Sequence, residues 1–283
     1  EIPKEGLLYL PNRYVVPGGR FNEMYGWDSY FIILGLVHDH RSALARGMVE
    51  NFFYEIENYG AILNANRTYF FTRSQPPFLT SMIREVYEHP DGKPLSKKWL
   101  AKAYDYAQRD YALWTSPIHL AGDTGLARYK DIGEGPVPEM ADDSDYYSHV
   151  IRWLLAHPDA HTGYLLDAPE HPAEAQAAAL AKTSCDIAAS KVCARAYVDG
   201  HRLSSAFYSG DRAMRESGFD TSFRFGPFSG STENYASICL NALLYKYERD
   251  LARIETILNN PTASAHWSRI AAERKQRINK LLW

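Results

Sequence analysis

The sequence has little cysteine and no long apolar run. Cys185, Cys193 and Cys239 are the only cysteines in 283 residues, and they form no even set and no CxxC pair. We therefore interpret them as free thiols, which favour a reducing compartment. No apolar run approaches the roughly 20 residues that a membrane-spanning helix needs. The sequence predicts a protein of the cytoplasm or the periplasm, with the thiols favouring the cytoplasm, and no membrane partner.

Neither positive nor negative charge is in large excess. The chain has 31 Lys and Arg residues against 34 Asp and Glu residues, a net charge of −3, and no basic block. A nucleic acid partner is therefore not expected. The hydrophobic share of 46% and the charged share of 23% are typical of a globular protein with a full core.

Several motifs with known chemistry are missing. No GxGxxG precedes a helix after a strand pattern and no GxxxxGK[ST] occurs, so nucleotide chemistry lacks its signal. No GxSxG nucleophile motif occurs either. The histidine pairs His38/His40 and His157/His161 have no third ligand spaced with them, so a metal site is not expected from them.

Aromatic residues are abundant by contrast. The chain has 20 Tyr, 12 Phe and 6 Trp residues. Most should pack in the core, but Tyr and Trp also suit carbohydrate sites, where flat sugar faces stack on rings and hydroxyls meet polar groups.

The apolar pattern predicts an all-α chain. Spacing of four, as in Leu44, Met48, Phe52 and Ile56, indicates helix, and sustained strand alternation is nearly absent. Paired helices with loops gathered at one end describe an α/α toroid, and the lack of a fixed repeat disfavours an open solenoid. Helices are predicted over residues 28–38, 42–59, 74–87, 97–113, 142–157, 172–198, 232–258 and 264–282, the last with its N-cap set by residues 261–264.

Four stretches between these helices combine arginine, amide or carboxylate groups, and aromatic rings. They span residues 17–31, 63–78, 127–147 and 214–228. One such stretch alone would be interpreted as a structured loop with capping residues. Four of the same composition in one helical chain favour a functional site.

Three of these stretches resemble the trehalase family of glycoside hydrolases. PGGRFNEMYGWDSY matches that family's first signature, PGGRFxExYxWDxY, at every specified position. NANRTYFFTRSQPPF resembles its NGNRSYYLSRSQPP stretch, and ESGFDTSFRF resembles its second signature, ESGWDFSSRW. The resemblance continues to the final KLLW and is weakest over residues 156–204. It implies an (α/α)6 barrel that hydrolyses an α-glucosidic bond of a small α-glucoside with inversion, without metal or cofactor.

The resemblance also implies roles for individual residues. The family's general acid matches Asp220. An acid of this kind must hold its proton near neutral pH, and the rings of Phe219, Phe223 and Phe225 could supply an apolar setting for it. An inverting glycosidase needs a second carboxyl group roughly 6.5–9.5 Å from the acid. The residues implied to bind substrate are Arg20, Phe21, Tyr25, Trp27, Asp28, Asn64, Arg73, Gln75 and Glu139.

Two departures from the family pattern affect the expected function. Val137 stands where the family has an arginine two residues before the acid that Glu139 matches, which questions the leaving-group side of the site. No stretch of the chain matches the family segment that carries the general base, near a QEGFGWTNG-like motif, so we expect that base beyond Trp283. The chain is then part of a single (α/α)6 catalytic domain, completed by C-terminal helices of the same protein, and inactive alone.

These observations favour an inverting α-glucosidase with trehalose as the default substrate. The change at Val137 makes a glucosyl compatible solute such as glucosylglycerol or glucosylglycerate an alternative substrate. A non-catalytic sugar-binding protein on the same fold is a second class. A relative from another six-hairpin glycosidase family is a third, and the fully matched first signature argues against it.

Overall fold

The computed structural model describes residues 6–140, 144–160, 163–167 and 196–283. In this part of the chain the elements are α1 (Asp28–His38), α2 (Ser42–Asn58), α3 (Leu79–Glu88), α4 (Lys97–Trp114), α5 (Ser144–Ala156), β1 (Leu165–Asp167), β2 (His201–Leu203), α6 (Ser205–Glu216), α7 (Ile238–Ile257) and α8 (Pro261–Leu281), with short 3-10 turns between them. The all-α class is confirmed, while closure into a toroid stays a prediction.

The chain divides into two compact units. The helical unit comprises Leu7–Asn66, Ser74–Arg128 and Ala236–Trp283, and therefore holds α1 to α4, α7 and α8. The loop-rich unit comprises Gly6, Arg67–Arg73 and the described part of Tyr129–Tyr235, and holds α5, the two strands and α6.

The helical unit has its own hydrophobic core. Here α1 packs on α2 and α3, α3 packs on α4 and α7, and α7 packs on α8. The apolar stripe of α2 that the spacing of four predicted is buried, with Met48 and Phe52 fully inside. Burial of each such side chain contributes about 1.5–3 kcal/mol, so packing of these stripes stabilises the helices more than their intrinsic propensity does.

The loop-rich unit packs around a smaller aromatic core. Its β1 and β2 pair antiparallel with Leu165 opposite Leu203. The core includes Tyr147 of α5 and Phe207 of α6, both fully buried. Neither the strand pair nor α6 was predicted from the pattern, although Ser204 caps α6 by accepting the Phe207 amide at 3.4 Å.

Helix starts were the weakest part of the sequence prediction. α3 begins at Leu79, not at residue 74, because the Ser74 hydroxyl donates to the Ile62 carbonyl at 2.6 Å and holds this segment outside a helix. α8 begins at Pro261, and its cap is Asn260, whose Oδ1 accepts the Ala263 amide at 3.3 Å. α7 begins at Ile238, since residues 232–234 form a separate 3-10 turn. The helix starts predicted from residues 74, 232 and 264 were therefore wrong.

The other predicted helices divide into confirmed and undescribed ones. Those over 28–38, 42–59 and 97–113 are confirmed within a residue at each end, and the one over 142–157 is seen from Ser144 to Ala156. Most of the predicted helix over 172–198 lies outside the described residues, as do Cys185 and Cys193. Cys239 is a half-buried thiol on α7. Within the described ranges, every helix is too short or too polar to cross a bilayer.

A buried carboxyl group makes the stability of the helical unit depend on pH. Glu55 on α2 is fully buried, and its Oε2 accepts the Leu63 amide at 3.2 Å while its Oε1 has no hydrogen-bond partner among the described residues. Burial raises the pKa of Glu55 to about 8, with the Leu63 amide opposing the rise.

We expect the free energy of unfolding to fall as pH rises from about 4.5 to about 8, because the folded state keeps a proton there that the unfolded state has released. The loss is on the order of a few kcal/mol, and Glu55→Gln should remove it. Urea unfolding between pH 5 and pH 9 measures the effect. The control is Glu57→Gln, since Arg109 lowers the pKa of this exposed carboxyl and its contribution is lost at acid pH instead. An unchanged pH slope in Glu55→Gln would contradict the assignment.

Candidate functional site

The first stretch opens on a tight turn that presents an arginine and a ring. The amide of Gly18 donates to the Phe21 carbonyl at 3.3 Å and the reverse bond measures 3.1 Å. Gly18 and Gly19 have φ values of 105° and 62°, which favour glycine. Arg20 and Phe21 are exposed, with the guanidinium 5.1 Å from the ring centroid. Phe21 in turn meets Tyr25 edge to face at 5.6 Å. The turn therefore presents the Phe21 ring at the surface, with the Arg20 guanidinium packed against it.

Backbone and amide hydrogen bonds then join three segments of the helical unit. The Gly26 amide donates to the Asn64 carbonyl at 3.1 Å, and the Trp27 amide donates to Gln75 Oε1 at 2.9 Å. Asn64 Nδ2 donates to the Ser74 carbonyl at 3.3 Å. A Cβ at Gly26 would lie 3.1 Å from Gln75 Cβ, so glycine permits this close approach. The structure thus brings Trp27, Asn64 and Gln75 together, as the resemblance implied.

Asp28 is placed beside this cluster as the first residue of α1. It is half-buried. Burial raises the pKa of Asp28, and the hydrogen bond from its own backbone amide opposes that rise. With Trp27 next to it, Asp28 combines a carboxyl acceptor with an apolar ring, the pairing that a sugar with hydroxyls and a flat face requires.

A second group of candidate residues lies in the loop-rich unit. Arg73, which is 4% exposed, forms an ion pair with Glu139 through Nη2 and Oε1. Its Nη1 lies 3.9 Å from Asp131 Oδ2, and its guanidinium carbon lies 4.9 Å from the Phe70 ring centroid. Arg73 Nε and Glu139 Oε2 are buried and have no hydrogen-bond partner among the described residues. One donor and one acceptor of the pair are therefore left without a hydrogen bond in the described part of the chain.

Arg215 is a member of this group that the sequence interpretation missed. Burial opposes ionisation of Glu139, but Arg73 and then Arg215 outweigh it and hold the pKa of Glu139 below its usual value. Arg215 is on α6, where its Nε donates to Asp211 Oδ2 at 3.3 Å. The signal was present in the sequence, since Arg215 directly precedes the ESGFD motif.

Val137 is buried within the loop-rich unit. Its side chain is 1% exposed, and its amide donates to the Tyr147 hydroxyl at 3.1 Å. The interpretation of this position as the place where the leaving group is selected is therefore not supported by the structure. The charge beside Glu139 that an arginine at this position would have supplied comes from Arg215.

Asp220 is exposed on the loop that follows α6. The expectation that three phenylalanine rings bury it is wrong for this structure. Phe219 packs on Tyr129 at 6.3 Å, Phe223 is 54% exposed beside Trp153, and the ring of Phe225 lies 5.0 Å from that of Tyr235. The rings of Phe219 and Phe225 also stack on each other, with their centroids 6.4 Å apart. The role of Asp220 as general acid stays a prediction.

A metal centre has no support in the described part of the chain. No group of three or more His, Cys, Asp or Glu side chains is placed there to hold an ion. His38 and His40 line one open cleft of the helical unit together with Glu85, His89 and Asp91, and His40 Nδ1 lies 3.2 Å from Asp91 Oδ1.

Known proteins match this chain along its full length. A family model for trehalase matches residues 2–283. A probable trehalase of Eremothecium gossypii is 39% identical over 282 residues, which cover 95% of this chain and 34% of that protein. A cytosolic neutral trehalase of Saccharomyces cerevisiae is 38% identical over 286 residues, with the same coverage of 95% and 34%.

A solved structure also resembles this chain. Neutral trehalase Nth1 from Saccharomyces cerevisiae aligns with a TM-score of 0.74 and 33% identity, covering 99% of this chain and 50% of that one. The predominantly helical fold of this chain is thus shared with that trehalase structure. The chain belongs to the trehalase family. It spans about a third of the length of the curated relatives it matches.

Proposed function

We propose that the protein containing this chain hydrolyses α,α-trehalose to two glucose molecules with inversion at the attacked carbon. Two of the matched relatives are a probable trehalase and a cytosolic neutral trehalase. The observation that carries the proposal is the buried Arg73–Glu139 pair, in which Arg73 Nε and Glu139 Oε2 have no hydrogen-bond partner among the residues that the structure describes. A sugar hydroxyl can both donate and accept a hydrogen bond. One hydroxyl, or two adjacent ones, could therefore accept from Arg73 Nε and donate to Glu139 Oε2.

The ionisation of this pair fits hydroxyl binding. Because Arg73 and Arg215 outweigh burial at Glu139, its carboxylate is ionised near neutral pH and acts as an acceptor only. Charge-assisted hydrogen bonds of this kind are shorter and stronger than neutral ones. In the helical unit, Trp27 and Phe21 supply ring faces and Asp28, Asn64 and Gln75 supply polar groups for glucose.

The proposed reaction transfers one glucosyl group to water and moves two protons, one from an acid and one to a base. Water attacks C1 of one glucose, the bond from C1 to the bridging oxygen breaks, and Asp220 gives its proton to that oxygen as the other glucose leaves. A base takes a proton from the attacking water, and no residue of this chain is assigned that role. The proposed compartment is the cytoplasm, supported by the cytosolic relatives.

The test measures hydrolysis of trehalose beside glucosylglycerol and glucosylglycerate with purified full-length protein. We expect kcat/KM for trehalose to be at least about tenfold higher, since the interior position of Val137 removes the argument for another leaving group. Proton NMR at early times should show equal amounts of α- and β-glucose, as inversion requires. Faster turnover of either other glucoside, or α-glucose alone, would contradict the proposal. Trehalose binding without hydrolysis of any glucoside would favour a sugar-binding protein.

A further inference from the structure

We propose that Arg212 is a positioning residue that holds residues 131–137, here named the clamp loop, in the shape that sets Glu139 against Arg73. The inference rests on the proposed function, because it gives Arg212 its effect through the pair assigned to bind substrate. Arg212 is on α6 and 1% exposed, so it acts from inside the loop-rich unit and touches no ligand itself.

Arg212 donates hydrogen bonds to the backbone carbonyls of a loop that forms no regular helix or sheet pairing. Its Nε donates to the Gly135 carbonyl at 2.6 Å, and its Nη2 donates to the carbonyls of Glu134 at 3.0 Å and Pro136 at 2.9 Å. Three consecutive carbonyls therefore converge on one guanidinium. A planar fork with five donors can serve them together, whereas the ammonium of lysine is a single point with three. Without Arg212 the buried Pro136 carbonyl and the part-buried carbonyls of Glu134 and Gly135 would lose this partner.

The charge of Arg212 is balanced inside the same loop. Its Nη1 donates to Asp131 Oδ2 at 3.0 Å, and the other oxygen of this fully buried carboxylate accepts the Gly133 amide at 2.6 Å. The same Asp131 Oδ2 lies 3.9 Å from Arg73 Nη1. Asp131 thus stands between Arg212 and the substrate-binding pair, and a shift of the Arg212 guanidinium would reach Arg73 through one carboxylate.

Both ends of the clamp loop are tied to the Arg73–Glu139 pair. The Ile132 amide donates at 3.1 Å to the carbonyl of Thr72, the residue before Arg73. At the other end, the Met140 amide donates to the Val137 carbonyl at 3.1 Å and closes the turn that carries Glu139. The loop therefore spans the gap between the two partners, and its shape decides whether they meet.

Gly133 gives independent evidence that the Arg212 guanidinium packs closely against the clamp loop. A Cβ on Gly133 would overlap Arg212 Nη1 and lie 2.8 Å from Thr72 Oγ1. Because Gly133 is not among the residues with positive φ, it is glycine for lack of space against Arg212 and not for its backbone angle. Gly133→Ala should therefore displace the guanidinium without removing any charge.

The experiment compares Arg212→Lys and Gly133→Ala with the parent full-length protein. Both variants should raise KM for trehalose by about tenfold to a hundredfold, with kcat changed much less, because the pair binds hydroxyls in the ground state as well as the transition state. Hydrogen–deuterium exchange of peptides spanning 131–140 should be faster in both. Arg152→Lys is the control, since Arg152 is an exposed arginine on α5 of the same unit, and it should match the parent in both measurements.

Each outcome decides the inference. Unchanged KM and unchanged exchange in folded variants would overturn it, as would loss of folding in both variants, which would make Arg212 a residue for stability only. A parent protein that hydrolyses no α-glucoside would refute the proposed function. The exchange of the clamp loop would then still show whether Arg212 and Gly133 control its shape.

Discussion

Asp220→Asn is expected to lower kcat for trehalose by about 10²- to 10⁴-fold, the usual contribution of a general acid. An amide of nearly the same shape cannot give a proton to the departing oxygen, but it preserves the contacts that hold the sugar. Trehalose binding should therefore persist within a few fold of the parent value. Rates measure the first part and isothermal titration calorimetry the second.

The control for this prediction is Asp145→Asn, because Asp145 is also an exposed acid of the loop-rich unit. It should leave both kcat and binding unchanged. An Asp220→Asn protein that keeps the parent kcat would remove Asp220 as the acid. The prediction is informative because Asp220 is exposed while its neighbouring rings pack elsewhere, so the resemblance and not the local environment is what assigns its role.

The helices that could be predicted from the sequence are those whose own pattern decides them. α1 and α4 were placed within a residue, since α1 is a closely spaced apolar stretch and the start of α4 is marked by Ser96, which caps it. α6 was not predicted from its pattern, and it contains Gly210. In the structure a Cβ at Gly210 would overlap the backbone of Gly230. This glycine is therefore required by a close contact between distant residues, which no local pattern reveals.

The candidate site shows the same division. Motif matching placed Trp27, Asn64 and Gln75 on segments that the structure does bring together, because a long motif encodes a whole local conformation. The contributions of Arg215 and Arg212 depend on how α6 lies against residues 131–140, and single positions in the sequence do not carry that information. At Val137, comparison of a single position with the family pattern was misleading, because Arg215 on α6 supplies a positive charge near Glu139.

Val137→Arg is expected to destabilise the loop-rich unit by about 3–5 kcal/mol, the usual cost of a buried charge without a partner. Val137 is 1% exposed, and Asp211, which accepts from the same Tyr147 hydroxyl that contacts the Val137 amide, is already occupied. Asp211 accepts from Tyr147 at 2.8 Å, from Tyr146 at 3.3 Å and from Arg215 at 3.3 Å. A new guanidinium would therefore enter the interior where Asp211 is already occupied and Glu139 is already paired with Arg73.

Urea unfolding of the full-length protein measures this effect, with Val137→Ile as the control that changes volume but not charge and should cost less than about 1.5 kcal/mol. The same two variants decide between two views of the position. If Val137 selected the leaving group, the arginine variant would stay folded and gain preference for trehalose over glucosylglycerol. If it is an interior residue, the arginine variant loses stability while the folded fraction keeps the parent preference. The second result follows from the burial of Val137 and from Arg215 already standing beside Glu139.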